Sequence, residues 1–213
     1  MDCPPLHISA LCFIIEAVSQ SYFPFIVVFP APESLVVFDE VQPVIGPYDE
    51  PPVACRDFDP RAAEIARQVA GLVARHLPSA RAEHVGSTAV PGCGGRGIID
   101  LLIACPEEDT EKVNLLLGRL GFRQGNETLF PLHPPAFQGV WVHNGDAFLL
   151  HVHVLPTGSD EVDSMRFFRS CLRADSELAR AYVRQKRAII SSGVTDAAEY
   201  RRQKADFLKL VLG

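Results

Sequence analysis

His84-Val85-Gly86-Ser87-Thr88-Ala89-Val90-Pro91-Gly92-Cys93-Gly94-Gly95-Arg96-Gly97-Ile98-Ile99-Asp100-Leu101-Leu102-Ile103 is the stretch whose reading decides the fold. A small pair, Gly86-Ser87, leads into glycine-rich backbone and then into a carboxylate set within an apolar run of strand length. Glycine lets backbone approach a ligand closely and take positive φ, and amides at a turn attract anions, with the Ser87 and Thr88 hydroxyls as further donors. Asp100 lies inside the run 98–103, where a carboxylate is costly unless something pairs with it. Magnesium would do so, because it favours carboxylate and phosphate oxygens together. The stretch therefore reads as a phosphate-holding turn beside a metal-holding strand. The plainer alternative is a structural turn followed by an aspartate bonded to a neighbouring amide, and spacing alone does not separate the two.

Upstream, residues 81–85 read as a strand that delivers the chain to Gly86-Ser87. His84, at its end, is either a phosphate contact or a structural hydrogen-bond partner. Before it, Asp59 suits an N-cap and Pro60 a first turn, and Ile65, Val69, Leu72, Val73 and Leu77 recur on one helical face until Pro78 closes it. Downstream, Pro106 and the acidic Glu107-Glu108-Asp109 begin a second helix with Val113, Leu116, Leu117 and Leu120 on its apolar face and Gly121 at its end. Residues 122–138 are loop-like, with Pro131, Pro134 and Pro135.

Val140-Trp141-Val142-His143 and the run 148–155 flank Asn144-Gly145-Asp146, a two-residue hairpin signal. Alternation along the second strand puts His151 and His153 on one face and Leu150, Val152 and Val154 on the other. Such a matched pair suits a metal beside Asp100 or a bound phosphate; the alternative is a buried pair satisfied by backbone. The C-terminal third predicts helices over 160–173, 177–190 and 197–212, with Asp196 and Glu199 as a capping box for the last. Tyr182 with Lys186, and Tyr200 with Lys204, stand four apart on a helical face, so each lysine reaches past a ring. Read alone, each pair is an ordinary surface contact.

The segment 83–103 resembles the signature of the GrpB family: a histidine, a hydrophobic residue, Gly-Ser-Thr, a Val-Pro-Gly turn, then Ile-Ile-Asp. The resemblance continues in His151-Val152-His153-Val154 and in the two Tyr-x-x-x-Lys segments, covering residues 44–213. It implies an α/β fold of the α+β type: a nucleotidyltransferase-like small mixed sheet, as in the DNA polymerase β-like superfamily, with helices on one side and a helical C-terminal part. Only that implied fold would set residues 122–138 near a substrate. It also implies a metal-dependent nucleotidyltransferase acting on an unknown acceptor, with Mg2+ as cofactor and a nucleoside triphosphate as substrate. Carried onto this chain, the site would be Asp100 and His153 as catalytic groups; Gly86, Ser87, Thr88, Arg96, Lys186 and Lys204 on the phosphates; and Asp100, His151 and His153 on the metal. The chain departs from the pattern twice. Leu102 stands where active superfamily members carry a second carboxylate, so two-metal phosphoryl transfer lacks a ligand. Arg96-Gly97 replaces the family's Lys-Pro, which keeps the charge but not lysine's point-charge geometry. A nucleotide- or phosphate-binding module without turnover is the second reading, and a His/Asp metal-dependent hydrolase the third, weakened by the absence of a His-x-x-x-His helix.

Composition narrows the partners. A length of 213 residues suits one substantial core, and a net charge of −6 argues against nonspecific nucleic-acid binding as the main activity. The charge is uneven: no Lys or Arg precedes Arg56, whereas the last helices are rich in both, as a solvated surface or as a basic face toward phosphate. The cysteines Cys3, Cys12, Cys55, Cys93, Cys105 and Cys171 form no Cys-x-x-Cys pair, which points to reduced thiols in a cytoplasmic protein. Residues 1–43 are apolar and read as an extension poorly packed on the 44–213 domain. They lack the basic start of a secretory signal, and Glu16, Gln20 and Pro24 interrupt the run of about 20 apolar residues that a membrane span needs. A membrane or partner anchor is the rival reading of that extension.

Overall fold

The computed structural model describes residues 40–125 and 135–212. The expectation for residues 1–43 therefore lies, except at 40–43, outside the described residues, as does most of the proline-rich part of the 122–138 segment. In chain order the elements are α1 (Ala62–His76), β1 (Arg81–Val85), a 3-10 turn (Ser87–Ala89), β2 (Ile99–Cys105), α2 (Thr110–Leu120) and β3 (Arg123–Gln124). Then come β4 (Phe137–His143), β5 (Asp146–Pro156), α3 (Asp160–Ala174), α4 (Ser176–Ser191) and α5 (Ala197–Leu212). The sheet is mixed, in the order β1-β2-β5-β4-β3, with β2 and β5 parallel and the other neighbours antiparallel. This is the α+β arrangement the sequence predicts. Among the described residues, no helix is long and apolar enough to cross a membrane.

Strand alternation separates two environments. Ile99, Leu101 and Ile103 of β2 and Leu150, Val152 and Val154 of β5 share a core with the apolar faces of α1 and α2, so the predicted 3.6-residue and two-residue periods meet there. On the opposite face Val85, Leu102, Ala104 and Leu155 pack against Val162 of α3. A third cluster joins Val90 and Cys93 of the glycine-rich loop to Phe168, Leu172, Ala179 and Tyr182 of α3 and α4. The C-terminal helices thus cover the face that carries Asp100.

Turn chemistry holds as expected. Asn144 and Gly145 both take positive φ, 51° and 85°, the type I′ geometry that a two-residue hairpin requires. Gly121 ends α2 at φ 105° in the left-handed region. Asp175 caps α4 by accepting the amides of Glu177 and Leu178 at 2.8 and 3.0 Å.

Several boundaries differ from the sequence reading. Asp59 sits ahead of α1, where its carboxylate accepts the Arg61 amide at 2.9 Å, and the helix starts at Ala62. The acidic run Glu107–Asp109 is a 3-10 turn that precedes α2. Only half of the predicted box at α5 forms. Asp196 accepts the Glu199 amide at 2.8 Å, whereas the Glu199 carboxylate accepts from Gln203 further along the helix. The segment 122–138 is not wholly loop: Arg123 pairs with Gln138 and Gln124 with Phe137, a long-range pairing that local composition does not encode.

The chain before α1 is tied across this scaffold. The amides of Val44 and Ile45 donate to Leu120 O at 3.0 Å, and Gly46 exchanges hydrogen bonds with Val140 at 2.8 and 3.1 Å. Ile45 fits there because position 139 is glycine: a Cβ on Gly139 would lie 2.2 Å from Ile45 Cγ2. This strap carries Tyr48 and Glu50 to the sheet face that holds Asp100.

Candidate functional site

The antiparallel register of β1 and β2 sets Val85 opposite Asp100, so the turn that follows β1 closes directly over the carboxylate. Gly86 has φ +70°, and a Cβ there would sit 2.3 Å from Asp100 Oδ2, so only glycine allows the turn to lie on the aspartate. A second glycine, Gly95, marks where the loop meets α4: a Cβ on it would lie 3.0 Å from Ser87 Oγ and 3.1 Å from Lys186 Nζ. Arg56 holds Gly95 in place through a pair of backbone hydrogen bonds at 2.7 and 2.9 Å.

The turn is clamped from α3. Arg166 Nε donates to Glu83 Oε1 at 3.0 Å, and Arg169 donates to His84 O at 2.8 Å while reaching Glu83 Oε2. Arg173 donates twice to Ala89 O, at 2.9 and 2.7 Å. These side chains, one helical turn apart in sequence, grip the backbone on both sides of Gly86-Ser87. Thr88 belongs to the same structural work. Its hydroxyl meets His84 Nε2 at 3.0 Å and donates to Ile98 O at 3.3 Å, and it does not line the cavity that follows. His84 is accordingly a structural partner, and burial pushes its pKa down to about 4 against the opposing pull of Asp100.

A cavity of about 980 Å³ lies between the sheet and the C-terminal helices. Gly86, Ser87, Arg96, Asp100, His151, His153, Lys186 and Lys204 all line it, so of the expected site residues Thr88 alone stands apart. Phe168, Tyr182 and Tyr200 supply aromatic wall, and Arg201 a further cation that the sequence reading missed.

At the floor, His153 Nε2 lies 3.7 Å and His151 Nδ1 3.9 Å from Asp100 Oδ1. Burial raises the Asp100 pKa, but the neighbouring imidazoles of His153 and His151 and the charge of Lys204 outweigh it, and the carboxyl is held below its ordinary range. Burial lowers the His151 pKa against the attraction of Asp100. His151 Nε2 is engaged by Tyr48 Oη at 3.0 Å and Gln138 Nε2 at 3.3 Å.

The cations differ in how much of their charge is already engaged. Arg96 pairs with Glu50, and its side chain is 9% exposed with a buried Nε that has no hydrogen-bond partner. Lys186 is 2% exposed; its ammonium donates to Gly94 O and stands 3.7 Å from Cys93 Sγ and 4.2 Å from the Tyr182 ring centroid. Burial lowers its pKa, and the neighbouring thiols Cys93 and Cys55 oppose that. Lys204 Nζ lies 5.9 Å from the Tyr200 ring. Burial brings its pKa down to about 8, Asp100 pulls it up, and Lys186, Arg96 and Arg201 push it further down.

The donor set does not suit the two-metal chemistry that the resemblance implies. Leu102 is 0% exposed in the apolar contact with Val162, so the second-carboxylate position is sealed as well as uncharged. Glu83, across the β1–β2 ladder from Leu102, has its carboxylate held by Arg166 and Arg169. Asp100, His151 and His153 are brought together, but both imidazoles stand 3.7 Å or more from the carboxylate, and Tyr48 occupies a His151 nitrogen. Among the described residues no group of three or more His, Cys, Asp and Glu could hold a metal ion. Magnesium's demand for near-octahedral oxygen donors makes one carboxylate and two imidazoles a poor match.

Comparison with known proteins follows from this geometry. The family model described as GrpB protein matches residues 52–213. A UPF0157 protein of Pseudomonas aeruginosa is 34% identical over 144 residues, 64% of this chain; the chain spans 56% of that relative's length. The crystal structure of conserved protein GrpB from Enterococcus faecalis superposes with a TM-score of 0.59 at 22% identity, over 75% of this chain and 97% of that one. The two share the fold. A looser similarity, TM-score 0.42 at 13% identity over 60% of this chain and 40% of the other, links it to the Cid1 poly(U) polymerase and carries no weight for substrate or mechanism.

Proposed function

The chain belongs to the GrpB family, and from that premise we propose that its cavity binds a nucleotide through the phosphates. The observation that supports this reading best is convergence. Ser87, Arg96, Lys186 and Lys204, spread over more than half of the chain, line one cavity with Asp100 and an aromatic wall. In this reading Arg96, Lys186 and Lys204 offset phosphate charge, the Ser87 hydroxyl in the turn after Gly86 donates to a phosphate oxygen, and Tyr200 and Phe168 offer ring faces to the base. Apolar wall with a few convergent polar groups is the usual constitution of a small-molecule site.

A second reading, nucleotidyl transfer to an acceptor, is favoured by one specific feature. Asp100 is held ionised with His153 beside it at the cavity floor, a carboxylate and an imidazole positioned to take a proton from an incoming hydroxyl. The hydrolase reading lacks comparable support, because His151 is already engaged by Tyr48 and Gln138.

Calorimetric titration of the full chain with ATP, CTP, GTP and UTP tests the first reading. At least one nucleotide should saturate a single site with an affinity that weakens as salt is raised, since the attraction is largely Coulombic. No heat from any of the four at millimolar concentration would overturn it. Incubation with α-labelled nucleotide and a pool of candidate acceptors then separates transfer, which leaves labelled product lost in Asp100→Asn, from binding alone.

A further inference from the structure

We propose that the cavity takes its phosphate ligand as the free anion, with the Lys204 ammonium supplying the charge that a divalent cation would otherwise bring. The inference rests on the nucleotide-binding reading and adds the ionic form of the ligand. Its starting point is the inventory of oxygen donors. Asp100 is the carboxylate that lines the cavity, and the next residue on its strand face, Leu102, is sealed against Val162. Glu83, the carboxylate across the ladder, is paired with Arg166 and Arg169 and does not line the cavity. Asp100 itself is crowded, with Gly86 packed on Oδ2 and two imidazole nitrogens within 3.9 Å of Oδ1.

The cation inventory points the same way. Lys186 and Lys204 line the cavity from α4 and α5, and Arg96 from the loop, with a buried Nε lacking a hydrogen-bond partner. Against these stands the single negative charge of Asp100. Glu50, paired with Arg96, offsets part of the excess from outside the lining. A site already this positive gains by receiving an uncomplexed phosphate chain and loses by receiving one whose charge magnesium has cancelled. Lys204 is the cation best suited to the central role. It lines the cavity together with Asp100, with its ammonium 5.9 Å from the Tyr200 ring, whereas Lys186 already donates to Gly94 O.

Magnesium should therefore compete with the protein for the nucleotide. In calorimetry with the full chain, ATP in EDTA should bind at least as tightly as ATP with magnesium in excess. The sign of the Asp100→Asn effect discriminates further. Removing the only negative lining charge among the described residues should tighten ATP in EDTA about fivefold or more, the scale of one charge pair a few ångströms apart in a partly screened site. Lys204→Gln should loosen it by about tenfold. Circular dichroism melts confirm that both variants fold, and Asp100→Asn carries the test if Lys204→Gln does not. Binding that appears only with magnesium, or that is lost in Asp100→Asn, overturns the free-anion proposal while leaving the nucleotide reading standing. Silence toward all four nucleotides in both conditions overturns both.

Discussion

On one side of β2, Ile99, Leu101 and Ile103 are 1%, 1% and 0% exposed within a core closed by α1 and α2. On the other side, Asp100 opens into a cavity ringed by cations before Leu102 returns to apolar packing. The two environments are one residue out of phase, and the pleat alone separates them. The apolar side obtains its stability mainly from buried hydrocarbon. The charged side is held by directed bonds from Arg166, Arg169 and Arg173 to Glu83, His84 and Ala89, on either side of the turn. Substitutions on the first side should register as lost stability, and those on the second chiefly as changed affinity.

The sharpest way to break that contrast is Leu101→Ala. Truncating a fully enclosed leucine should lower unfolding free energy by about 2–5 kcal/mol in a urea titration. A loss below about 1 kcal/mol would mean that this side is not the tight core described. Next comes Arg173→Ala, which removes two charged hydrogen bonds to Ala89 O and should cost about 1.5–3 kcal/mol. Unlike the leucine variant, it should also weaken nucleotide binding under conditions where the protein stays folded, because the Gly86-Ser87 turn loses its support.

Two smaller effects come from titration. With Lys204 near pKa 8, its charge fades as pH rises through that value, so ATP affinity should fall by up to about tenfold between pH 7 and pH 9. Lys204→Arg, which stays charged, should flatten that profile. His84 acts on stability in the opposite direction. Its folded pKa, about 4, lies below the ordinary 6.5, so the unfolded chain takes up the proton first. The native state is therefore favoured above pH 6.5 and loses that advantage as pH falls toward 4, by about 0.7 kcal/mol between pH 7 and pH 6. His84→Gln should remove that slope in denaturant titrations at the two pH values.

What could be read from the sequence follows from the range of the forces involved. The alternation at His151 and His153, the Asn144-Gly145 turn and the helical stripe of Ile65, Val69 and Leu72 are set by neighbours within a few residues, and each stands where predicted. The placement of Lys186 and Lys204 on a shared cavity was also legible, though only through the family resemblance. Tyr48 on His151 and Glu50 on Arg96 were not, because each joins segments far apart in the chain by a contact that leaves no local period. The arginines of α3 read as solvated surface charge, and only tertiary packing aims them at Glu83, His84 and Ala89. Thr88 was misleading for the converse reason: a hydroxyl in a glycine-rich turn resembles a phosphate donor until its bond to Ile98 O is seen.

The strap at 44–46 lies ahead of the stretch that the family model matches, yet it is tied into the same scaffold. The family-model match begins at residue 52, yet Ile45 fills the space above Gly139, and the two side chains it escorts steady an imidazole and a guanidinium inside the cavity. A protein trimmed to that first recognisable residue would keep every signature motif and still begin with an open seam beside α2 and an unfastened His151. Any attempt to isolate the smallest working version should set its first residue ahead of Val44.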